Sequence, residues 1–147
     1  MMRFVNFVGS SHLSWKHGFP QTLDKVFADS DMSFKSKYCV KTVKSLPGAT
    51  YYNKQLLESF KTTVQKQTSE CGGQVNIVML GSNDTREINN LPIVAHSEGL
   101  NDFYSKVNDL IGHLLSIPGS TVILPSVIIP ESIYNVPTNR VLEEVVR

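Results

Sequence analysis

The chain has few of the features that mark secreted, membrane-spanning or metal-binding proteins. It contains only two cysteines, Cys39 and Cys71, which form no C-x-x-C pair and are too few for a disulfide framework. No apolar run approaches the roughly 20 residues that are needed to cross a bilayer. The apolar start, residues 1–8, is short, is interrupted by Asn6 and lacks a cleavage site, so it predicts a strand rather than a signal peptide. We therefore expect a cytoplasmic protein with reduced thiols.

The chain also lacks an excess of charge of either sign. Its 147 residues include 14 basic and 13 acidic side chains, which gives a net charge of +1. Such a balance creates no net field that would attract nucleic acid, an anionic membrane or an acidic polymer. The composition therefore favours a small, neutral or weakly charged substrate and gives no signal for a nucleic-acid or membrane partner.

No internal repeat, charge block or low-complexity tract divides the sequence. A chain of this length that is 41% hydrophobic can bury one sizeable core but is too short for two comfortable ones. We therefore predict a single domain over residues 1–147.

Short apolar runs alternate with segments of helical periodicity along the chain. Strands are predicted at 3–8, 38–43, 75–80 and 120–124, and helices at 13–28 in two pieces, 53–67, 100–115 and from 138 onward. This alternation predicts an α/β fold, a three-layer α/β/α sandwich with a parallel sheet. Ligands of such sheets bind at the carboxyl ends of the strands.

Two of the predicted strands end in small polar turns that could carry chemistry. Ser10 and Ser11 follow the first strand and precede a helix, where backbone N–H groups stabilise negative charge, so a hydroxyl there is either a nucleophile or a helix cap. Gly48 follows Pro47 after the second strand. Its N–H could approach a substrate oxygen closely, although an ordinary Pro-Gly turn has the same sequence.

A third turn, Gly81-Ser82-Asn83-Asp84, follows the nearly continuous apolar run of the third strand. The Asn83 side-chain amide can donate two hydrogen bonds at the ligand edge of the sheet. The alternative is that Asn83 and Asp84 form an Asx-turn and cap the helix that follows.

Taken together, these turns resemble the sequence blocks of the SGNH hydrolases, also called the GDSL esterase and lipase family. Gly9-Ser10-Ser11 corresponds to the family's Gly-Asp-Ser, with Ser10 in place of the aspartate, and Gly81-Ser82-Asn83-Asp84 matches the third block fully. The resemblance implies a flavodoxin-like SGNH hydrolase fold and a serine esterase that forms an acyl-enzyme without a cofactor or a metal. It implies that Ser11 is the nucleophile and that the Ser11 N–H, the Gly48 N–H and the Asn83 amide hold the oxyanion.

The fourth block of the family, Asp-x-x-His, supplies the general base and is absent from this sequence. None of the four histidines is assigned as the base. His12 adjoins Ser11, but neighbouring side chains at a strand-to-helix turn usually diverge. His17, His96 and His113 are expected to be surface residues, and none of the three has metal-ligand spacing to a partner. We expect a C-terminally incomplete domain with little or no esterase activity, since a last helix with apolar Val141, Leu142, Val145 and Val146 would be exposed.

Two further interpretations remain open from the sequence. The first is a non-catalytic binding or scaffold module derived from an SGNH hydrolase, as found in some retrotransposon proteins. The second is a flavodoxin-like domain unrelated to hydrolysis, which would need a phosphate loop; Gly72-Gly73 precedes a strand rather than a helix and cannot serve as one.

Overall fold

The computed structural model describes residues 3–10, 19–29, 37–70, 73–125 and 135–146. Within these ranges, four strands alternate with five α-helices. The strands are β1 (Arg3–Gly9), β2 (Tyr38–Ser45), β3 (Gln74–Met79) and β4 (Ser120–Ile123). The α-helices are α1 (Phe19–Asp29), α2 (Lys54–Gln67), α3 (Ser82–Asn89), α4 (His96–Leu115) and α5 (Asn135–Val146), and a 3-10 turn at Ile93–Ala95 precedes α4.

The four strands form one parallel sheet in the order β2-β1-β3-β4. The first strand lies at its centre: Gly9 is in register with Ser45 of β2 on one side and with Met79 of β3 on the other. Parallel strands have their carboxyl ends at one edge, so the turns that follow β1, β2 and β3 lie side by side. This arrangement confirms the predicted α/β fold.

Helices cover both faces of the sheet. On one face, Val5, Phe7 and Ile77 form a small buried cluster against Leu23 of α1. On the other face, Val8 and neighbouring strand residues pack against the apolar stripes of three helices. These stripes are Leu56, Phe60 and Val64 of α2, Phe103, Val107, Leu110, Ile111 and Leu114 of α4, and Leu142 of α5. Their spacing of three and four residues is that of one helix face. Because a separate apolar core lies between helices and each face of the sheet, the predicted three-layer α/β/α arrangement is confirmed.

Asn6, which interrupts the first apolar run, is fully buried in a polar network beneath the sheet. Its amide donates to Gln67 Oε1 at 2.7 Å and to Asn76 Oδ1 at 2.9 Å, and its own oxygen accepts from Gln67 Nε2 at 3.0 Å. Asn76 in turn donates to Ser120 Oγ at 2.8 Å. Buried amides that are fully paired in this way oppose a shift of strand register, because a slip would leave them unsatisfied.

Several helix boundaries differ from those predicted. The Gly18-Phe19-Pro20 segment was expected to separate two helical pieces, but α1 begins at Phe19. Proline fits the first turn of a helix because its missing N–H would have no intrahelical partner there. In the same way α5 begins at Asn135, with Pro137 in its first turn, three residues before the predicted start. Residues 13–18 of the first predicted piece lie outside the described residues.

The expectation that the last helix exposes its apolar stripe was wrong for Val141, Leu142 and Val145, whereas the side chain of Val146 lies outside the described residues. Leu142 is only 4% exposed, and Val141 and Val145 pack against the larger core. The stripe of α4 is broad enough to contact both the sheet and α5, so α5 finds its partner within the described part of the chain.

Candidate active site

The carboxyl end of β1 is fixed to that of β2 at the centre of the ligand edge. The Leu46 N–H donates to the Gly9 carbonyl at 3.1 Å, and Ser45 Oγ donates to the Ser10 carbonyl at 3.1 Å. Ser10 is buried, with 6% of its surface exposed. Ser11, the predicted nucleophile, follows directly and lies outside the described residues, as does His12. The role of Ser11 therefore stays a prediction.

The turn after β2 has the geometry that its Pro-Gly sequence favours. The Ala49 N–H donates to the Leu46 carbonyl at 3.1 Å, and Gly48, the third residue of the turn, has a φ of 75°. A positive φ at this position is typical of a type II turn and disfavours any residue with a side chain. Gly48 is exposed, and no described residue accepts a hydrogen bond from its N–H. Among the described residues, nothing competes for that N–H with an oxygen from outside.

The turn after β3 leads directly into α3, and Asn83 is the second residue of that helix. The Asn83 amide nitrogen donates to the Ala49 carbonyl at 3.1 Å. This bond joins the third predicted turn to the residue next to Gly48. A primary amide has two N–H groups, and no described residue accepts from the second one. Two of the predicted oxyanion donors thus belong to turns that are in direct contact.

The alternative of an Asx-turn cap is wrong for Asn83 and Asp84. The N-cap of α3 is Gly81, with a φ of 121°, and no side chain caps the helix. Both residues instead lie within its first turn. The Asn83 side chain contacts the Ala49 carbonyl across the ligand edge, whereas the Asp84 carboxylate interacts both with the Tyr51 N–H and with its own backbone N–H.

Asp84 is a site feature to which sequence reasoning gave no role beyond a cap. Its side chain is 1% exposed, and its Oδ1 accepts a hydrogen bond from the Tyr51 N–H at 3.2 Å. Oδ2 has no partner among the described residues. Burial raises the pKa of this carboxyl to about 7, a nearby Glu87 also raises it, and the Tyr51 N–H opposes the shift. Asp84 is the fourth residue of the Gly-x-Asn-Asp pattern, and this pattern is the sequence signal that could have identified it as part of the site.

The loop between β2 and α2 is rigidly held around these contacts. Asn53 Oδ1 accepts from the Thr50 N–H at 2.7 Å, and Thr50 Oγ1 accepts from the Tyr52 N–H at 3.2 Å. Tyr51 is buried and packs edge-on against Phe103 of α4, with ring centroids 5.5 Å apart. The backbone of residues 49–51 is therefore fixed from three sides: by its own loop, by α3 and by α4.

None of the described histidines is placed as a general base. The Nε2 of His96 lies 2.9 Å from the Leu91 carbonyl, within the segment that leads into α4. His113 lies near the end of α4, which leads to the amino end of β4, the edge opposite to Gly48. Its ring is half-buried and Nε2 has no partner among the described residues, so the expectation of a solvated His113 was wrong. His17 lies outside the described residues.

The described residues include no group of three or more His, Cys, Asp or Glu side chains that could hold a metal ion. Among the same residues, no helix is both long enough and apolar enough to span a membrane.

In sequence comparisons, no family model matches the chain, and no curated protein matches it. Comparison of structures does find similar folds. The esterase EstA from Pseudoalteromonas sp. superposes with a TM-score of 0.64 at 14% identity, covering 97% of this chain and 70% of EstA. The acetylxylan esterase Axe2 from Geobacillus stearothermophilus gives 0.65 at 15%, covering 97% of this chain and 72% of Axe2. TesA gives 0.63 at 16%, covering 98% of this chain and 72% of TesA.

The chain has the fold of the SGNH hydrolases. The resemblance predicted from the sequence blocks is thereby confirmed at the level of fold. At identities of 14–16% this likeness establishes architecture and not activity. The chain spans about 70% of the length of these esterases, and whether its domain is incomplete stays a prediction.

Proposed function

We propose that the protein is an SGNH-type serine ester hydrolase that cleaves small esters or O-acetyl groups through an acyl-enzyme. The observation that supports this most strongly is the 3.1 Å bond between the Asn83 amide and the Ala49 carbonyl. It brings Asn83 and Gly48 into neighbouring turns at the ligand edge of a sheet whose fold is shared with esterases, among them the acetylxylan esterase Axe2.

In the proposed reaction, Ser11 Oγ attacks the ester carbonyl carbon, and the carbonyl electron pair moves onto oxygen. The resulting oxyanion accepts hydrogen bonds from the Ser11 N–H, the Gly48 N–H and the free N–H of Asn83, and losing one such donor costs about 3 kcal/mol in the transition state. Collapse of this intermediate expels the alcohol and leaves the acyl group on Ser11. Water then releases the acid.

Both halves of this reaction need a general base, which takes a proton first from Ser11 and later from water. The sequence contains no Asp-x-x-His block, and no described histidine is assigned to the site. We therefore propose that residues 1–147 alone hydrolyse esters weakly or not at all, although they include the proposed nucleophile and the proposed oxyanion donors.

Rescue with imidazole tests this proposal directly. Added imidazole can replace a missing histidine base, so nitrophenyl acetate hydrolysis should rise with imidazole concentration beyond imidazole's own rate. The increment should vanish in Ser11→Ala. Asn89→Ala should retain it, because this control changes an exposed asparagine of α3, the helix that also contains Asn83. An equal increment in Ser11→Ala would refute the proposal. Saturable acetate binding without any Ser11-dependent rate would instead favour the non-catalytic binding module.

A further inference from the structure

The proposed donors Gly48 and Asn83 belong to different elements, so their spacing depends on what holds the loop to the helix. Two parallel contacts do so. Asn83 Nδ2 donates to the Ala49 carbonyl, and the Tyr51 N–H donates to Asp84 Oδ1. Consecutive residues of α3 thus contact the backbone on both sides of Thr50, and the loop cannot rotate about either contact alone.

The second contact depends on the Asp84 carboxyl, which is buried although only one of its two oxygens has a hydrogen-bond partner among the described residues. Asp84 is 1% exposed, yet its Oδ2 has no partner among the described residues, and the same holds for the buried hydroxyl of Tyr51. Burying a carboxyl without full pairing destabilises the folded state. Among the described residues, the bond from the Tyr51 N–H to Oδ1 is the one hydrogen bond that joins this carboxyl to the proposed oxyanion loop.

We propose that Asp84 is a positioning residue that holds the loop of residues 48–51 at the separation from Asn83 that a shared oxyanion requires. It acts through the Tyr51 backbone and does not contact the substrate. This inference rests on the proposed esterase function, but the position of the loop can be measured without any ester hydrolysis.

The strength of this contact depends on the charge of Asp84. A hydrogen bond from an N–H to an ionised carboxylate is about twice as strong as one to a neutral acceptor. Because burial raises the pKa of Asp84 to about 7, the carboxyl changes charge close to neutral pH. The loop should be held more firmly above that pH than below it.

The titratable groups that face Asp84 come from three elements. Glu87 lies on the same helix and raises the pKa of Asp84. Tyr51 and Tyr52 lie on the loop, where burial raises the pKa of each and the charge of Asp84 raises it further. From α4, Asp102 accepts the Tyr52 hydroxyl at 2.7 Å, and the Lys106 ammonium lies 5.6 Å from the centre of the Tyr52 ring. None of these described groups is a histidine, and comparison with Asp84→Asn assigns a transition near pH 7 to Asp84 or to another group.

Amide NMR of the whole chain between pH 5 and pH 9 tests the positioning role. We expect the Tyr51 N–H and the Asn83 side-chain amide to shift with one midpoint near pH 7. In Asp84→Asn, which keeps an acceptor but has no titrating charge, both signals should be independent of pH. Glu87→Gln, a matched change on the exposed side of α3, should move the midpoint slightly and keep the transition. Amides that do not titrate in the wild type, or that titrate equally in Asp84→Asn, would overturn the inference.

The imidazole-rescued rate provides the second readout. Asp84→Ala removes the acceptor, so kcat should fall by about 10- to 100-fold through misplacement of the donors, with KM little changed. Asp84→Asn should recover most of that loss. A rise in KM alone, or no recovery in Asp84→Asn, would contradict a positioning role. If the wild type shows no rescued rate while its amides titrate as expected, the proposed function fails and the positioning of the loop by Asp84 stands.

Discussion

The Asn83 side-chain amide donates a hydrogen bond of 3.1 Å to the carbonyl oxygen of Ala49, the residue after Gly48. The two residues are 34 positions apart and belong to turns that follow different strands. They meet because β2 and β3 both flank β1, so the ends of all three strands lie at one edge. The same bond leaves one Asn83 N–H unused by the described residues.

Replacing Asn83 by alanine should remove one oxyanion donor. We expect the Ser11-dependent, imidazole-rescued rate of ester hydrolysis to fall about 10²- to 10³-fold, the usual effect of losing such a donor. Steady-state kinetics with nitrophenyl acetate measures this. Asn89→Ala provides the control, because Asn89 is exposed on the same helix. Equal rates in the two variants would remove Asn83 from the proposed site.

Alanine at Gly48 and alanine at Gly112 should have opposite effects on stability. Gly48 has a φ of 75°, which strains a residue with a side chain by about 1–2 kcal/mol. Gly112 lies inside α4 with nothing within 4 Å of an added Cβ, and alanine there should stabilise the helix by about 1 kcal/mol. Urea unfolding compares the two. A Gly48→Ala variant as stable as the wild type would contradict the turn geometry.

The stability of the chain should fall as the pH rises from about 4 to about 7. The pKa of Asp84 is raised from 3.8 in its ordinary state to about 7 in the folded chain. The unfolded state therefore loses its proton first, and each unit of this difference removes about 1.4 kcal/mol of stability, up to about 4 kcal/mol in total.

Urea unfolding at pH 5 and pH 8 measures this dependence. In Asp84→Asn the contribution should be absent, so the variant should gain stability relative to the wild type at pH 8 more than at pH 5. The same difference at both values would show that Asp84 does not titrate in this range.

Truncating different side chains of the buried amide network should lower the stability of the chain by different amounts. Asn6→Ala leaves Gln67 and Asn76 without their shared partner, and each unsatisfied buried group costs about 1–3 kcal/mol. Ser120→Ala removes only the acceptor of one Asn76 N–H and should cost less. Thermal unfolding ranks the two variants. A Ser120→Ala variant that is less stable than Asn6→Ala would contradict the central position of Asn6.

Much of the fold could be predicted from the sequence because its strongest patterns are local. The apolar run after Gln74 and the three- and four-residue spacing from Leu100 onward each identify one element by its own period. The turn at Gly48 was equally local, because Pro-Gly favours the observed positive φ.

Features that depend on packing could not be predicted in this way. The apolar stripe of α5 around Leu142 packs against α4, and no local sequence pattern identifies this pairing. The role of Asp84 depends on the Tyr51 N–H, 33 residues away, and on burial that raises its pKa. The helix start at Phe19 was misjudged because Gly-Phe-Pro is compatible both with a break and with a first turn.

The most direct test of the central claim is to look for the acyl-enzyme itself. The chain is incubated with nitrophenyl acetate and imidazole, the imidazole is removed rapidly, and the protein is analysed by intact mass and peptide mapping. Because the sequence has no Asp-x-x-His block, the chain should deacylate slowly. We therefore predict one acetyl group on the peptide that contains Ser11, absent from Ser11→Ala and reduced in Asn83→Ala. Acetyl groups confined to lysines, with an unmodified Ser11 peptide, would contradict the account.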